Sequence, residues 1–139
     1  MINLRRLDQT EARRIPGFNP FFSPDSQQLG FLESAGQGRL QMKRTALEGG
    51  PVEPITLVDP PLSFGCAWLP DRTIVFTSSS NAGLFSVSEM GGEPRQLTSL
   101  DEEAGEFGHR LPSVLPGGRT ILYTLIRFSL VPNWSQSQI

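Results

Sequence analysis

An all-β fold assembled from one repeated unit is what this sequence predicts, and three observations predict it. Similar bends ("Phe-Phe-Ser-Pro-Asp", "Ala-Trp-Leu-Pro-Asp" and "Ser-Val-Leu-Pro-Gly") are centred on Pro24, Pro70 and Pro116, and 70 − 24 and 116 − 70 both give 46 residues. A second marker also repeats. "EGGPVEPIT" (Glu48 to Thr56) and "MGGEPRQLT" (Met90 to Thr98) place Gly49-Gly50 and Gly91-Gly92 at an offset of 91 − 49 = 42. Third, no stretch sustains apolar residues at i, i+3, i+4 and i+7 between helix caps. The 12 prolines and 14 glycines suit short strands joined by tight turns.

Each unit reads as four strands in sequence order. Strand one is "PFFS", "GCAWL" or "LPSVL". A Pro-Asp or Pro-Gly turn follows, in which proline pre-sets φ and Asp or Gly tolerates the tight conformation. Strand two, "QLGFLE", "TIVFTS" or "TILYTL", is rich in β-branched and aromatic residues. A loop ("SAGQG" or "SSNAG") leads to strand three, "RLQMKRTA" or "LFSVSE". The Gly-Gly turn reverses the chain because glycine accepts positive φ. Strand four, "VEPIT" or "PRQLT", carries prolines that suit only a sheet edge. The two offsets differ because the units vary in length at their turns, where stacked β units tolerate variation. "LTSLDEEAGEFG" (Leu97 to Gly108) holds two glycines and reads as a loop.

A fixed period near 40–45 residues with four strands per unit is the mark of a β-propeller rather than of a sandwich, whose strands alternate between two sheets without a fixed period. The expected architecture is a partial β-propeller of four-stranded antiparallel blades, about two full blades plus two half blades. Residues 1–18 form the second half of a preceding blade, with Asp8-Gln9 replacing the Gly-Gly turn. Residues 19–58 and 59–100 form one blade each, and 101–139 form the first half of a following blade. Propellers close with four to eight blades, so the expectation is a piece of a longer protein whose end blades present uncovered apolar faces.

Composition narrows the function classes. The net charge is −2, and the arginines occur singly or in pairs (Arg5-Arg6, Arg13-Arg14) without the basic stripe that phosphate contacts need. Nucleic-acid binding is therefore not expected. Cys66 is the only cysteine, which excludes an intrachain disulfide and leaves the redox compartment open. "MINLRRLDQTEARR" lacks the apolar core of a signal peptide. The most apolar run, "ILYTLIRFSLVP" (Ile121 to Pro132), contains Arg127 and falls short of the roughly 20 residues of a membrane-spanning helix. It reads as buried strand, and membrane insertion is not expected.

The motifs "NPFFSPDSQQLGF" and "GGPVEPIT" resemble the TolB-type, WD-like propeller repeat, whose pattern runs S-P-D-G, an apolar strand, then G-G and L-T. With "LPDRTIVFT" and "HRLPSVLPGGRTILYT", the chain is similar to the propeller that follows the catalytic domain in many bacterial eukaryotic-like serine/threonine protein kinases. The resemblance covers almost the whole chain. Ser26 stands where the turn usually has glycine, and that glycine is missing after Asp71. The resemblance implies a binding module whose chemistry lies in a separate upstream domain.

Kinase motifs are absent from this chain. "GQGRLQ" (Gly36 to Gln41) begins like G-x-G-x-x-G but puts Gln41 at the third glycine and lies in a hairpin loop. His109-Arg110-Leu111 lacks the aspartate of H-R-D, and Ser63-Phe64-Gly65 lacks the carboxylate of D-F-G. Hydrolase motifs fare no better. There is no G-x-S-x-G, and the single His109, in a glycine-flanked loop before a strand, is expected to make a structural hydrogen bond to backbone. Asp101, Glu102, Glu103 and Glu106 with His109 lack any metal-ligand spacing and read as a solvated loop. Cys66 reads as a small buried hydrophobe, and Trp68 with the phenylalanines reads as blade-to-blade core.

The expected function is therefore a non-catalytic scaffold for a protein or small ligand, within a larger serine/threonine-kinase-like protein that supplies the remaining blades. No catalytic, cofactor-binding or metal-ligating residue is assigned. Two alternatives share the fold: the propeller of a prolyl-oligopeptidase-like hydrolase, and a free-standing TolB-like periplasmic interaction protein. A membrane-anchored kinase parent implies an extracytoplasmic or periplasmic location, and any other parent a cytoplasmic one.

Overall fold

The computed structural model describes residues 1–8, 10–59 and 65–127. Every regular element among them is a β-strand: β1 (Ile2–Leu4), β2 (Arg13–Ile15), β3 (Phe18–Phe22), β4 (Gln28–Gly36), β5 (Arg39–Ala46), β6 (Glu53–Val58), β7 (Cys66–Trp68), β8 (Thr73–Thr77), β9 (Leu84–Ser88), β10 (Arg95–Gln96), β11 (Glu106–Val114) and β12 (Ile121–Arg127). They form four antiparallel sheets, β1-β2, β3-β4-β5-β6, β7-β8-β9-β10 and β11-β12. Neighbours in each sheet are neighbours in sequence, so each four-stranded sheet is a plain meander. None of the sheets closes on itself. Among the described residues no helix is long and apolar enough to cross a membrane.

The three proline bends have the same shape. Ser26 N–H donates to Ser23 O (2.9 Å), Arg72 N–H to Leu69 O (3.1 Å) and Gly118 N–H to Leu115 O (3.0 Å). The donor is left-handed each time, at φ 57°, 69° and 70°. Ser26 and Arg72 adopt it at some cost, while Gly118 does so freely. The strand pairs flanking the bends match too: Phe22 faces Leu29, Trp68 faces Ile74 and Val114 faces Ile121. The Gly-Gly turns likewise agree, with Gly49 N–H donating to Ala46 O and Gly91 N–H to Ser88 O.

Alternation along the strands gives each four-stranded sheet two apolar faces. On β4, Leu29 and Phe31 pack with Ile2 and Ile15 of the β1-β2 sheet. Leu32 of the same strand points the other way. With Phe21, Met42, Ile55 and Val58 it meets Trp68, Ile74, Phe76 and Val87 of the next sheet. Full burial of side chains such as Phe31, Leu32 and Phe76 contributes about 1.5–3 kcal/mol each. Val75 and Thr77 lie on the far face of β8, against β11. The sheets thus stack as four layers in chain order, each on its sequence neighbours. First strands adjoin across the layers, β3 on β7 and β7 on β11. The rings of Phe21 and Trp68 meet at 5.9 Å.

Strand four is an edge in both complete sheets: β6 and β10 each have one partner. Pro54 is tolerated there because an edge position need not donate to a ladder. Three expectations are corrected. β3 begins at Phe18, ahead of the expected strand. β11 begins at Glu106, so the loop read over Leu97–Gly108 ends three residues early. His109 consequently lies within a strand, not in a loop before one, because its backbone pairs with Leu125 across the β11-β12 ladder. The turn read at Asp8-Gln9 and the "FSLVP" end of the apolar run fall partly or wholly outside the described residues.

Candidate functional site

The β3–β6 and β7–β10 sheets enclose a cleft of about 380 Å³ between the Pro24 and Pro70 turns. Ser23, Asp25, Gln28, Trp68, Arg72 and Glu89 supply its polar groups. On one wall the Pro24 turn is braced by Asp25. Its Oδ1 accepts from Ser23 Oγ (2.6 Å) and from Gln27 N–H (3.0 Å). The Ser23 hydroxyl above all, then the Gln27 amide, holds the Asp25 carboxyl below the usual carboxylate range. The positive charge of Arg72 across the cleft pulls the same way.

The floor is an ionic knot around the buried Glu89. Trp68 Nε1 donates to Glu89 Oε2 at 3.0 Å. The other oxygen, Oε1, lies 3.5 Å from both the Arg44 Nη1 and the Arg72 Nε. Arg44 comes from β5 and is held from the other side by Glu53 at 2.8 Å. Glu89 is 7 % exposed, and a buried carboxylate with a donor on one oxygen and cations on the other is stable where an unpaired one is not. The knot ties the two sheets together at this end.

Sequence reasoning places Trp68 in the core alone and misses Glu89, Arg44 and Arg72 altogether. A signal existed. Counted back from the Gly-Gly turns, Glu89 occupies the position of Leu47 in the preceding unit, and counted back from the proline bends, Trp68 occupies that of Phe22. Leu47 packs on the apolar core between the first two sheets. A carboxylate at an apolar repeat position, accompanied by an indole N–H at a phenylalanine position, is a compensated pair.

His109 is 2 % exposed. Its Nδ1 lies 2.7 Å from Thr98 Oγ1 and its Nε2 3.3 Å from Glu106 Oε2. Thr98 Oγ1 also accepts the Leu84 N–H (2.8 Å), and the Glu106 carboxylate, an acceptor, favours the neutral tautomer with its proton on Nε2 and with Nδ1 accepting from the Thr98 hydroxyl. The ring partners are side chains rather than the expected backbone. The His109 backbone is engaged as well, donating from N–H to Ala82 O and accepting from Thr77 Oγ1. Tyr123 covers the ring at 4.7 Å. Carboxylate, imidazole and hydroxyl stand in series but form no open reaction centre, since the hydroxyl is spent on Leu84 and the ring is covered. The string pins β11 to the end of the preceding sheet.

Of the acidic run, only Glu106 is brought to His109. Asp101 instead accepts the Ala104 N–H, and Asp101, Glu102 and Glu103 are exposed. Among the described residues no group of three or more His, Cys, Asp or Glu side chains is placed to hold a metal ion. Cys66 is half-buried and packs against the core between the two central sheets. The "GQGRLQ" segment is the β4–β5 hairpin, turning through Gln37-Gly38 between the paired Gly36 and Arg39. Ser63 and Phe64 lie outside the described residues. No family model matches the chain, and no curated protein matches it.

Proposed function

We propose that this chain is a segment of a β-propeller serving as a non-catalytic scaffold for protein or small-ligand binding, carried in a larger protein of the bacterial eukaryotic-like serine/threonine kinase type. One observation supports the reading above all others. The β3–β6 and β7–β10 sheets are the same four-stranded meander, stacked face to face with first strand beside first strand. On this reading the repeated sheets are blades, with β3, β7 and β11 nearest the axis and the edge strands β6, which carries Pro54, and β10 at the rim. The kinase context rests on the resemblance of the repeat motifs alone.

For binding, two blades make rigid walls, and the cleft between the Pro24 and Pro70 turns presents Asp25 and Arg72 above a locked floor. Loops and turns held by a rigid frame are where binding residues accumulate. The purified chain is expected to show no turnover with ATP and magnesium or with a chromogenic peptide or ester, and measurable catalysis overturns the non-catalytic assignment. Proton–proton contacts between the Phe21 and Trp68 rings, measured by NMR, test the blade stacking. Their absence removes the propeller.

A further inference from the structure

The cleft between the Pro24 and Pro70 turns is built for one sign of charge. Asp25 on one wall and Glu89 in the floor face a single cation of the lining, Arg72. Behind the floor, Arg44 is offset by Glu53 at 2.8 Å. Donors for an anion are scarce. The Trp68 N–H is spent on Glu89 and the Ser23 hydroxyl on Asp25. The Gln28 side-chain amide suits either sign.

Both carboxylates keep accepting capacity. A carboxylate offers about four acceptor sites, and the Ser23 and Gln27 donors both end on Oδ1 of Asp25. Glu89 Oε2 accepts from Trp68, but Oε1 has Arg44 Nη1 and Arg72 Nε each standing off at 3.5 Å. A charge-assisted N–H···O bond is about 2.7–2.9 Å long, the length that Arg44 does reach at Glu53. The Glu89 side chain is 8 % exposed, so a buried charged oxygen lies at the cleft floor without a close donor. Of its two cations Arg44 is fixed in place, whereas the Arg72 side chain is 74 % exposed. An ion pair with so exposed a partner is weak and readily exchanged. Nor does the bend need arginine there, since the next unit has Gly118 at the equivalent left-handed position.

We propose that this cleft binds a guanidinium group carried on an alkyl stem, and that Arg72 holds the position in its absence. A planar fork of five donors spans two carboxylates, as Arg44 does between Glu53 and Glu89, whereas an ammonium is a point charge. On binding, Arg72 leaves Glu89 for solvent, and the incoming group bridges Glu89 Oε1 and the Asp25 carboxylate. Pro24, Leu69 and Pro70 supply the apolar rim along which the stem lies. The volume of about 380 Å³ is at the small end of ligand sites and suits one such side chain. The proposal rests on the cleft being the binding site of the scaffold, and gives that site its ligand class.

NMR of the 139-residue chain tests it through the Trp68 indole N–H, a signal assigned by its loss in Trp68→Phe. N-acetyl-arginine amide is expected to shift that signal saturably. N-acetyl-lysine amide and the uncharged N-acetyl-citrulline amide should bind about tenfold more weakly or worse. Arg72→Gln removes the place-holder and should bind the arginine probe about threefold or more tightly. Asp25→Asn should bind it about tenfold more weakly. Both substitutions are at exposed positions and should keep the β circular dichroism of the parent. A tripeptide, acetyl-Gly-Arg-Gly amide, that binds more tightly than the single residue assigns the group to a polypeptide, and equal affinity assigns it to a free small molecule. Three results overturn the proposal: no saturable shift, a citrulline or lysine probe that binds as well, or an Arg72→Gln protein that binds no better than the parent. Saturation by acetate that Arg72→Gln abolishes makes the cleft an anion site, which ends the ligand class and keeps the binding site. Phe21–Trp68 ring contacts that persist without probe binding leave the stacked scaffold standing, and their absence removes both.

Discussion

Trp68 and Glu89, 21 residues apart, form a donor–acceptor pair in the same sheet: the indole N–H of β7 meets a carboxylate beyond β9 at 3.0 Å, beneath the guanidinium of Arg44 from the neighbouring sheet. The equivalent pair one unit earlier, Phe22 and Leu47, is wholly apolar. The same two repeat positions are thus apolar in one unit and polar in the next, within the same backbone frame. That contrast can be tested by exchange.

Glu89→Ala leaves the buried Trp68 N–H unpaired and removes one of the two carboxylates that hold Arg44, and is expected to cost about 1–3 kcal/mol. Trp68→Phe alone strands the carboxylate oxygen and costs about 1–3 kcal/mol. The double variant Trp68→Phe/Glu89→Leu copies the preceding unit and is expected to lose less than the two single changes summed. Urea denaturation of the four proteins measures the coupling. Strict additivity rejects the compensated-pair account.

Gly30 faces Phe21, and a Cβ on Gly30 would stand 2.3 Å from the Phe21 ring. Gly30→Ala should therefore push the ring off Trp68 and destabilise by about 1–3 kcal/mol. Phe21→Leu in the same chain frees space and should recover part of the loss. Thermal melts of the single and double variants decide it, and an unperturbed Gly30→Ala protein contradicts the close packing.

Ser26 holds φ 57° in a bend where the third unit has Gly118 at φ 70°. Ser26→Gly relieves the left-handed strain, less glycine's own entropy cost, for a gain of about 0.5–1 kcal/mol. The melting temperature should rise. A fall would mean that the Ser26 side chain makes a contribution its exposure does not suggest.

The Asp25 carboxyl titrates below its ordinary value of 3.8 because Ser23 and Gln27 donate to its charged form. A depressed folded value means that the contribution is fully present above 3.8 and is lost as pH falls through the folded value. Ser23→Ala should move the Asp25 titration back toward 3.8 in a carboxyl-detected NMR experiment. The acid limb of stability should move up in pH with it. An unmoved titration would refute the Ser23 contribution.

The bends, the glycine turns and the strand between them were legible because each depends on local chemistry. Proline sets φ at Pro24, Pro70 and Pro116, glycine permits the reversal at Gly49 and Gly91, and β-branched runs such as "TIVFT" become β8. The sheet-edge placement of the fourth strand followed from Pro54 for the same reason. Of the Glu89 knot, the repeat positions of Glu89 and Trp68 carried a signal, but Arg44 and Arg72 did not, because they reach it from β5 and from the Pro70 turn and nothing in their neighbourhoods marks them. The strand around His109 was hidden by Gly105 and Gly108, which suggested a loop. Gly108 is instead required by close approach, since a Cβ there would stand 2.6 Å from Ser80 O.

Among the described residues each layer packs on those before and after it in sequence, so mechanical and chemical insults should stay local. A lesion at Ile2 has no direct route to His109, because Phe31 and Leu32 sit back to back on β4 with a peptide plane between them. Fraying should therefore run inward from either extremity one leaf at a time, and the last amides to exchange with deuterium should be those of β4, β5 and β8.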